Sequence, residues 1–155
     1  MSSTPRIPFQ IFRSNKSYLA AIEKLNGQYD HFRTNVVQKN CIEKLKHWYP
    51  RGKAYLTQSA TAGLMMAADS IEFAPGDEII VPSFTFVSAL NPFVRRGVQV
   101  VFVPANKKTF GPDLDYVRQA ITPRTKAIMI MHYGGVPCAS HQEIIALRDF
   151  AGAQR

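Results

Sequence analysis

The hydrophobic and polar positions of the chain alternate regularly after residue 50. Short apolar runs rich in branched side chains, such as "DEIIVP" at 77–82 and "VQVVFV" at 98–103, are typical of buried strands. Longer segments in which apolar residues recur every three or four positions, such as "HQEIIALRDF" at 141–150, are typical of helices. The pattern predicts, in chain order, a strand at 53–57, a helix at 61–73, a strand at 77–82, a helix at 85–97, a strand at 98–103, a helix at 111–121, a strand at 126–132 and a helix at 141–150.

Two prolines and a glycine refine the predicted helices. Pro92 is expected to interrupt the helix at 85–97 and Gly97 to end it, whereas Pro112 is expected to open the helix at 111–121. Strands that alternate with helices need crossover connections, and crossovers produce a mostly parallel sheet with helices on both faces. The predicted fold class is therefore α/β.

The first fifty residues have a different pattern. The segments "SYLAAIEKL" at 17–25 and "VVQKNCIEKLKHW" at 36–48 predict two helices joined by a polar stretch. We therefore expect an N-terminal helical arm over residues 1–50, followed by the sheet domain over residues 51–155.

Composition narrows the class of protein. A chain of 155 residues with 46% apolar residues suffices for a globular domain with a core. Cys41 and Cys138 are too few for a disulfide framework and form no C-x-x-C pair, so free thiols and no metal site are expected. The longest apolar run, at 127–131, is too short to span a bilayer, and no apolar leader is present near the N-terminus. These features predict a cytoplasmic protein without membrane contact.

The net charge of +8 raises the question of nucleic-acid binding. Residues 1–50 hold eight Lys or Arg against three Asp or Glu, so the excess lies mainly in the N-terminal part. No basic run is interleaved with aromatic residues as single-strand binders require. The charge favours a small ligand that carries a diphosphate, and no nucleic-acid partner is expected.

The segment "TQSATAG" at 57–63 lies where a phosphate-binding loop is found in α/β proteins. Loops after the carboxyl ends of parallel strands form a crevice, and a helix N-terminus there offers free backbone N–H groups to an anion. The small residues allow a phosphate to approach the backbone, and the Ser59 and Thr61 hydroxyls can add hydrogen bonds. The alternative is that Ser59 only caps the helix.

Two phenylalanines follow the next predicted strand at the same edge. Phe86 offers an aromatic face to a flat ring, while Phe84 is expected to belong to the core. A phosphate loop beside an exposed aromatic side chain is what a phosphorylated aromatic cofactor needs.

At residues 53–147 the chain resembles the DegT/StrS nucleotide-sugar aminotransferases, which are fold type I enzymes that use pyridoxal phosphate. The resemblance rests on the segment from "YLTQSATAG" to "VQVVFV" and on "AITPRTKAIMIMHYGGVPC". The runs "HYGGVPC" and "RRG" are most similar to the members that form dTDP-4-amino-4,6-dideoxygalactose. The resemblance implies the first part of the large, cofactor-binding domain.

The resemblance also implies functions for individual positions. Phe86 matches the aromatic side chain that stacks on the pyridine ring, and His132 and Tyr133 match a strand end that lines the crevice, with buried support expected for His132. The resemblance assigns Ala60, Thr61 and Ala62 to the phosphate, to which the Ser59 hydroxyl is added on its chemistry alone. Ser88 and Asn91 are weaker candidates for the substrate side, and the alternative is that both are surface positions of a helix.

The match lacks two catalytic groups of the family. The Asp that pairs with the pyridine nitrogen and the lysine that holds the cofactor covalently lie further along in family members, and no residue of this chain matches them. We therefore expect a truncated, inactive segment that cannot attach the cofactor covalently.

The family's partners would be a keto sugar nucleotide of the dTDP-4-keto-6-deoxyhexose type, an amino-acid donor and a second subunit. These partners imply amino-sugar biosynthesis by a homo-oligomer. The alternative is a non-catalytic relative that binds a phosphorylated ligand, a nucleotide sugar or a partner chain.

Overall fold

The computed structural model describes residues 16–26, 35–50 and 52–153, which form six α-helices and three strands. Two short 3-10 helices, Val87–Ala89 and Tyr133–Gly135, lie between these elements. The helices are α1 (Lys16–Asn26), α2 (Val36–Trp48), α3 (Ala60–Asp69), α4 (Asn91–Val94), α5 (Leu114–Ala120) and α6 (His141–Ala153), and the strands are β1 (Glu78–Pro82), β2 (Gln99–Val103) and β3 (Thr125–Ile128).

The chain divides into two compact units, Met1–Leu56 and Thr57–Arg155. The first contains α1 and α2, in agreement with the two helices predicted from the sequence. No described residue of α2 is buried within the chain. The division lies six residues beyond the boundary expected at residue 50.

The second unit contains a three-stranded parallel sheet in the order β2-β1-β3. The central strand pairs in unbroken register with β2, from Glu78 opposite Gln99 to Pro82 opposite Val103. Its pairing with β3 has one irregularity, between Glu78 and Ile79. Because all three strands run in one direction, their carboxyl ends lie at the same edge of the sheet.

Helices cover both faces of the sheet. On one face Ile79 and Val81 of β1 pack with Ala68 of α3 and Phe93 of α4. On the opposite face Ile80 packs in a cluster that includes Val117 of α5 and Leu147 of α6. Successive residues of a strand point to opposite faces, so a fully buried central strand reads as a continuous apolar run. The predicted α/β class is confirmed.

Three local predictions were wrong. Residues 53–57 form no strand, although the helix predicted after them is present as α3. Pro92 lies at the start of α4, where a missing N–H costs nothing, and it does not interrupt a longer helix. Pro112 lies before α5 and forms an isolated antiparallel bridge with Ala105, while Asp113 caps the helix by accepting a hydrogen bond from the Asp115 N–H at 3.1 Å.

The start of α6 is fixed by a reciprocal capping box. The Ser140 hydroxyl accepts a hydrogen bond from the Glu143 N–H at 3.2 Å, and the Glu143 carboxylate accepts one from the Ser140 N–H at 2.7 Å. The hydrogen bonds from Ser140 lower the pKa of Glu143.

A buried carboxylate lies at the amino end of β1, opposite the candidate crevice. Glu78 accepts hydrogen bonds from the Thr122 hydroxyl at 2.6 Å and from the Arg124 Nε at 3.0 Å. The Thr122 hydrogen bond is the main cause of a lowered pKa at Glu78, with Arg124 contributing against the opposing effect of burial. This cluster ties β1 to the loop that precedes β3.

The helices and the two cysteines bear on the expected membrane contact and cysteine chemistry. Among the residues that the structure describes, no helix has the length and apolar character needed to cross a bilayer. Cys41 and Cys138 are both free thiols. Burial raises the pKa of Cys138, so that thiol is protonated at neutral pH and is a poor nucleophile.

Candidate functional site

The loop before α3 forms a tightly hydrogen-bonded helix start. Ser59 is the N-cap, and its hydroxyl accepts a hydrogen bond from the Ala62 N–H at 3.1 Å. The Thr57 hydroxyl donates to the Ser59 carbonyl at 2.9 Å, which closes the turn. Ser59 therefore does cap the helix, as the alternative interpretation held, and the Ala62 N–H is occupied by that cap.

Two backbone donors remain available at this helix start. Within the described ranges, the N–H groups of Ala60 and Thr61 have no hydrogen-bond acceptor. They lie in the first turn of a ten-residue helix, where the dipole favours an anion. The cap and the anion donors are thus different groups, and both interpretations of the segment are compatible.

A side-chain hydrogen bond joins this loop to the loop after β1. The Thr61 hydroxyl donates to the Ser88 hydroxyl at 3.0 Å, and both side chains are half-buried. Ser88 lies in the 3-10 helix that begins after Phe86. The bond therefore places the N-terminus of α3 at the carboxyl edge of β1, as predicted, although no strand precedes α3.

Phe86 is held by its backbone while its ring remains open to solvent. Its carbonyl accepts the Ala89 N–H at 2.9 Å at the start of the 3-10 helix, and the residue is 71% exposed. An aromatic ring that is exposed two residues from Ser88 is free to cover a flat ligand. Phe86 thus lies two residues from Ser88, on the loop that the Thr61–Ser88 hydrogen bond joins to α3.

Phe84 does not belong to the core, which corrects the prediction. It is 46% exposed, and its ring centroid lies 4.9 Å from that of Tyr133, beyond the end of β3. The strand β1, in which all five residues are buried, ends at Pro82, so Phe84 lies in the following loop rather than on a face of the sheet.

His132 is also exposed, contrary to the buried support expected for it. Its Nδ1 accepts a hydrogen bond from the Cys138 N–H at 3.1 Å. Because Nδ1 is the acceptor, the neutral ring carries its proton on Nε2. His132 supports the loop between β3 and α6 from the solvent side.

Asn91 begins α4 and is exposed. Its carbonyl accepts the Arg95 N–H at 3.1 Å, and within the described residues its side chain has no hydrogen-bond partner. The structure brings Ser88 to Thr61 but shows no such contact for Asn91. Asn91 remains a prediction for the substrate side, whereas the contact with Thr61 places Ser88 beside the candidate phosphate donors.

Gly111 allows two loops of this edge to approach each other. A Cβ atom at this position would lie 2.6 Å from the Met131 carbonyl and would overlap the Cβ atom of Cys138. The chain after β2 therefore packs directly on the chain after β3. Sequence reasoning missed this contact, for which the only signal was a glycine just before a proline.

These features fit a phosphorylated ring. The Ala60 and Thr61 amides provide two donors for a phosphate. Because the Ser88 oxygen accepts from Thr61, its own proton is available as a third donor. The exposed ring of Phe86 belongs to the same loop as Ser88, two residues away in the chain.

Comparison with known proteins shows the family of the chain. The family model described as the DegT/DnrJ/EryC1/StrS aminotransferase family matches residues 37–153, well over half of the chain. The chain belongs to the DegT/DnrJ/EryC1/StrS aminotransferase family. The resemblance inferred from the sequence is confirmed.

Individual aminotransferases are similar to this chain in sequence or in structure. A dTDP-4-dehydro-2,3,6-trideoxy-D-glucose 4-aminotransferase of Saccharopolyspora spinosa is 40% identical over 92 residues, which are 59% of this chain and 23% of that protein. The PMP form of a putative sugar aminotransferase, Spr1654 from Streptococcus pneumoniae, is 27% identical and superposes with a TM-score of 0.72. That match covers 93% of this chain and 37% of Spr1654.

A second solved structure, that of DesV from S. venezuelae, superposes on this chain with a TM-score of 0.70 at 27% identity. The match covers 96% of this chain and 41% of DesV. Spr1654 is also known in a PLP form. The chain therefore has the fold of sugar aminotransferases but spans only about a quarter to two fifths of the length of these relatives.

Proposed function

We propose that this chain forms the phosphate-binding and ring-facing part of a pyridoxal-phosphate-dependent aminotransferase that acts on a keto sugar nucleotide. The observation that carries the proposal is the Thr61–Ser88 hydrogen bond, because it joins the helix N-terminus to the loop that bears Phe86. Family membership supports the assignment of the ligand. The cofactor, when bound, would carry an amino group from an amino-acid donor to the sugar.

The residues of this chain would bind and orient the cofactor. The amides of Ala60 and Thr61 and the hydroxyl of Ser88 would donate to the phosphate. The ring of Phe86 would cover one face of the pyridine and exclude water from it. The capping bond at Ser59 would keep the helix start rigid, so that little order has to be gained on binding.

The substrate proposal rests on the relative of Saccharopolyspora spinosa. That protein is described as a 4-aminotransferase of a dTDP-4-dehydro sugar, which supports a dTDP-4-keto sugar as the substrate class. We propose in addition a homodimer in which a second subunit completes the site, and an amino acid as the donor.

Binding of pyridoxal phosphate to the purified chain tests the proposal. We expect weak, reversible binding that can be followed by cofactor absorbance and ³¹P line broadening. Thr61→Leu should weaken binding about tenfold or more, because it removes the hydroxyl that positions Ser88, and the hydrogen bond from Ser88 to a charged phosphate contributes about 1.5–3 kcal/mol. Phe86→Ala should also weaken binding, because it removes the ring that would cover the pyridine. Tyr116→Ala, at an exposed aromatic residue of α5, is the control. Equal affinities in all four proteins would refute the assignment.

A test for covalent attachment of the cofactor distinguishes the proposed non-covalent site from a catalytically complete one. Because no lysine of the chain matches the family's cofactor lysine, borohydride reduction should attach the cofactor to no single residue. Peptide mapping after reduction checks this. Stoichiometric labelling of one lysine, for example Lys53 or Lys126, would contradict it.

The alternative is a non-catalytic protein that keeps the crevice for a phosphorylated ligand or a partner. It predicts tight binding of a nucleotide sugar without pyridoxal phosphate. Competition between the two ligands on the same protein distinguishes the two functions.

A further inference from the structure

Three aromatic side chains from three different loops meet at the carboxyl edge of the sheet. Phe84 follows β1, Phe110 follows β2, and Tyr133 follows β3. Their ring centroids are 4.9 Å apart for Phe84 and Tyr133, 5.6 Å for Phe84 and Phe110, and 6.1 Å for Phe110 and Tyr133. We call these three residues the aromatic cluster.

The aromatic cluster is not part of the core. The three residues are 46%, 49% and 43% exposed, respectively, and none belongs to either buried cluster. Aromatic rings that contact each other and remain nearly half exposed offer a platform for another flat ring.

Phe110 is held in place in an unfavourable backbone conformation. Its φ angle is 57°, in the left-handed region that favours glycine. The loop closes through hydrogen bonds from the Phe110 N–H to the Asn106 carbonyl and from the Asn106 N–H to the Gly111 carbonyl, both 2.8 Å long. A strained residue whose side chain remains about half exposed is better explained by a function of that side chain than by folding.

The same loop carries two cations. Lys107 and Lys108 are exposed, and within the described residues neither forms an ion pair or a side-chain hydrogen bond. Lys108 donates only its backbone N–H, to the Asn106 side chain. Two free ammonium groups within three residues of an exposed ring suit a ligand that joins an aromatic base to phosphates.

We propose that the aromatic cluster binds the base of a nucleoside diphosphate by stacking, with Lys107 and Lys108 available to its phosphates. The proposal rests on the proposed function, since a keto sugar nucleotide carries such a group. It assigns the base to a surface distinct from the phosphate donors at Ala60, Thr61 and Ser88.

Titration of the chain with thymidine diphosphate, thymidine and pyrophosphate, followed by calorimetry and ligand-observed NMR, tests the proposal. Thymidine diphosphate should bind more tightly than either of its parts. Phe110→Gly removes the ring and suits a positive φ, so the fold should be retained, with a melting temperature equal to or above that of the wild type. Its affinity for thymidine diphosphate should fall about five- to hundredfold, as expected for loss of one stacked base.

Three controls separate this site from the cofactor site and from a protein interface. Phe110→Gly should leave pyridoxal phosphate binding unchanged, whereas Thr61→Leu should weaken pyridoxal phosphate and spare thymidine diphosphate. Tyr116→Ala should change neither. The proposal is overturned if the wild type does not bind thymidine diphosphate, if pyrophosphate binds as tightly, or if Phe110→Gly changes only the sedimentation behaviour, which would make the cluster a subunit contact.

Discussion

The hydroxyl of Thr61 donates a hydrogen bond to the hydroxyl of Ser88 across 3.0 Å, although 27 residues separate them in the chain. One residue lies in the first turn of α3 and the other in the 3-10 helix after β1. The bond fixes the distance between the phosphate donors and the loop that carries Phe86. The cofactor site proposed at this edge therefore uses a contact that is already formed in the free chain.

Removal of the Thr61 or the Ser88 hydroxyl should destabilise the fold, and the effects of the two changes should not be additive. Thr61→Val and Ser88→Ala should each cost about 0.5–1.5 kcal/mol, because each leaves its half-buried partner with one hydrogen bond fewer. The double variant should cost less than the sum of the two single changes. Urea denaturation of the four proteins measures this coupling. Thr57→Val combined with Ser88→Ala is the control and should be additive, because Thr57 donates to the Ser59 carbonyl instead.

Gly111 should tolerate no side chain. In Gly111→Ala the new methyl group would press on the Met131 carbonyl and on Cys138, so either the loop after β2 or the loop after β3 has to move. We expect a loss of about 1–3 kcal/mol, as for other overpacked positions. Gly152→Ala is the matched control, because a Cβ there meets no atom within 4 Å and lies in a helix. That variant should gain up to about 1 kcal/mol. Similar melting temperatures in the two variants would show that the loops do not pack as described.

The helices and strands that were predicted correctly are those whose pattern of apolar residues reflects the faces that they bury. The apolar run at β1 and the three- to four-residue spacing in α6 follow directly from burial on both faces or on one face. Residues 53–57 are apolar enough for a strand, but in the described chain nothing pairs with them. Pairing depends on neighbours, which a local pattern does not contain.

Only those features of the candidate site that depend on neighbouring residues in the sequence could be predicted. The small residues and hydroxyls at 57–63 indicated an anion loop, and the position of Phe86 after a strand indicated an exposed ring. The link between Thr61 and Ser88, the exposure of Phe84 and the meeting of three aromatic rings are tertiary contacts. No spacing rule relates residues so far apart in the chain.

Acid should weaken the fold through Glu78. The pKa of this buried carboxyl is lowered in the folded chain, mainly by the Thr122 hydroxyl. Its contribution is therefore complete above the unfolded value of 4.5 and is lost as the pH falls through the lower folded value. Glu78→Gln should cost about 1.5–3 kcal/mol at neutral pH and should flatten the pH dependence of stability below about 4.5. Glu43→Gln, at an exposed pair with Lys46, should change neither. An unchanged acid profile in Glu78→Gln would contradict this account.

The outer edge of β3 should make the isolated chain associate with itself. Within the described residues β3 pairs with β1 on one side and with no strand on the other. A groove of about 470 Å³ lies beside it and is lined mainly by apolar side chains, among them Ala127, Ile128, Ile144 and Leu147. Parallel sheets are normally covered on both faces, and an unprotected edge strand promotes association. Sedimentation velocity at increasing concentration should show oligomers, and a hydrophobic dye should bind.

Ile144→Lys should reduce both signals, since it places a charge in the groove, whereas Val94→Lys, at a 54% exposed position of α4, should not. A concentration-independent monomer that binds no dye would show that this edge is protected in the chain as it stands. Such a result would favour the non-catalytic binding protein over a segment that requires further strands.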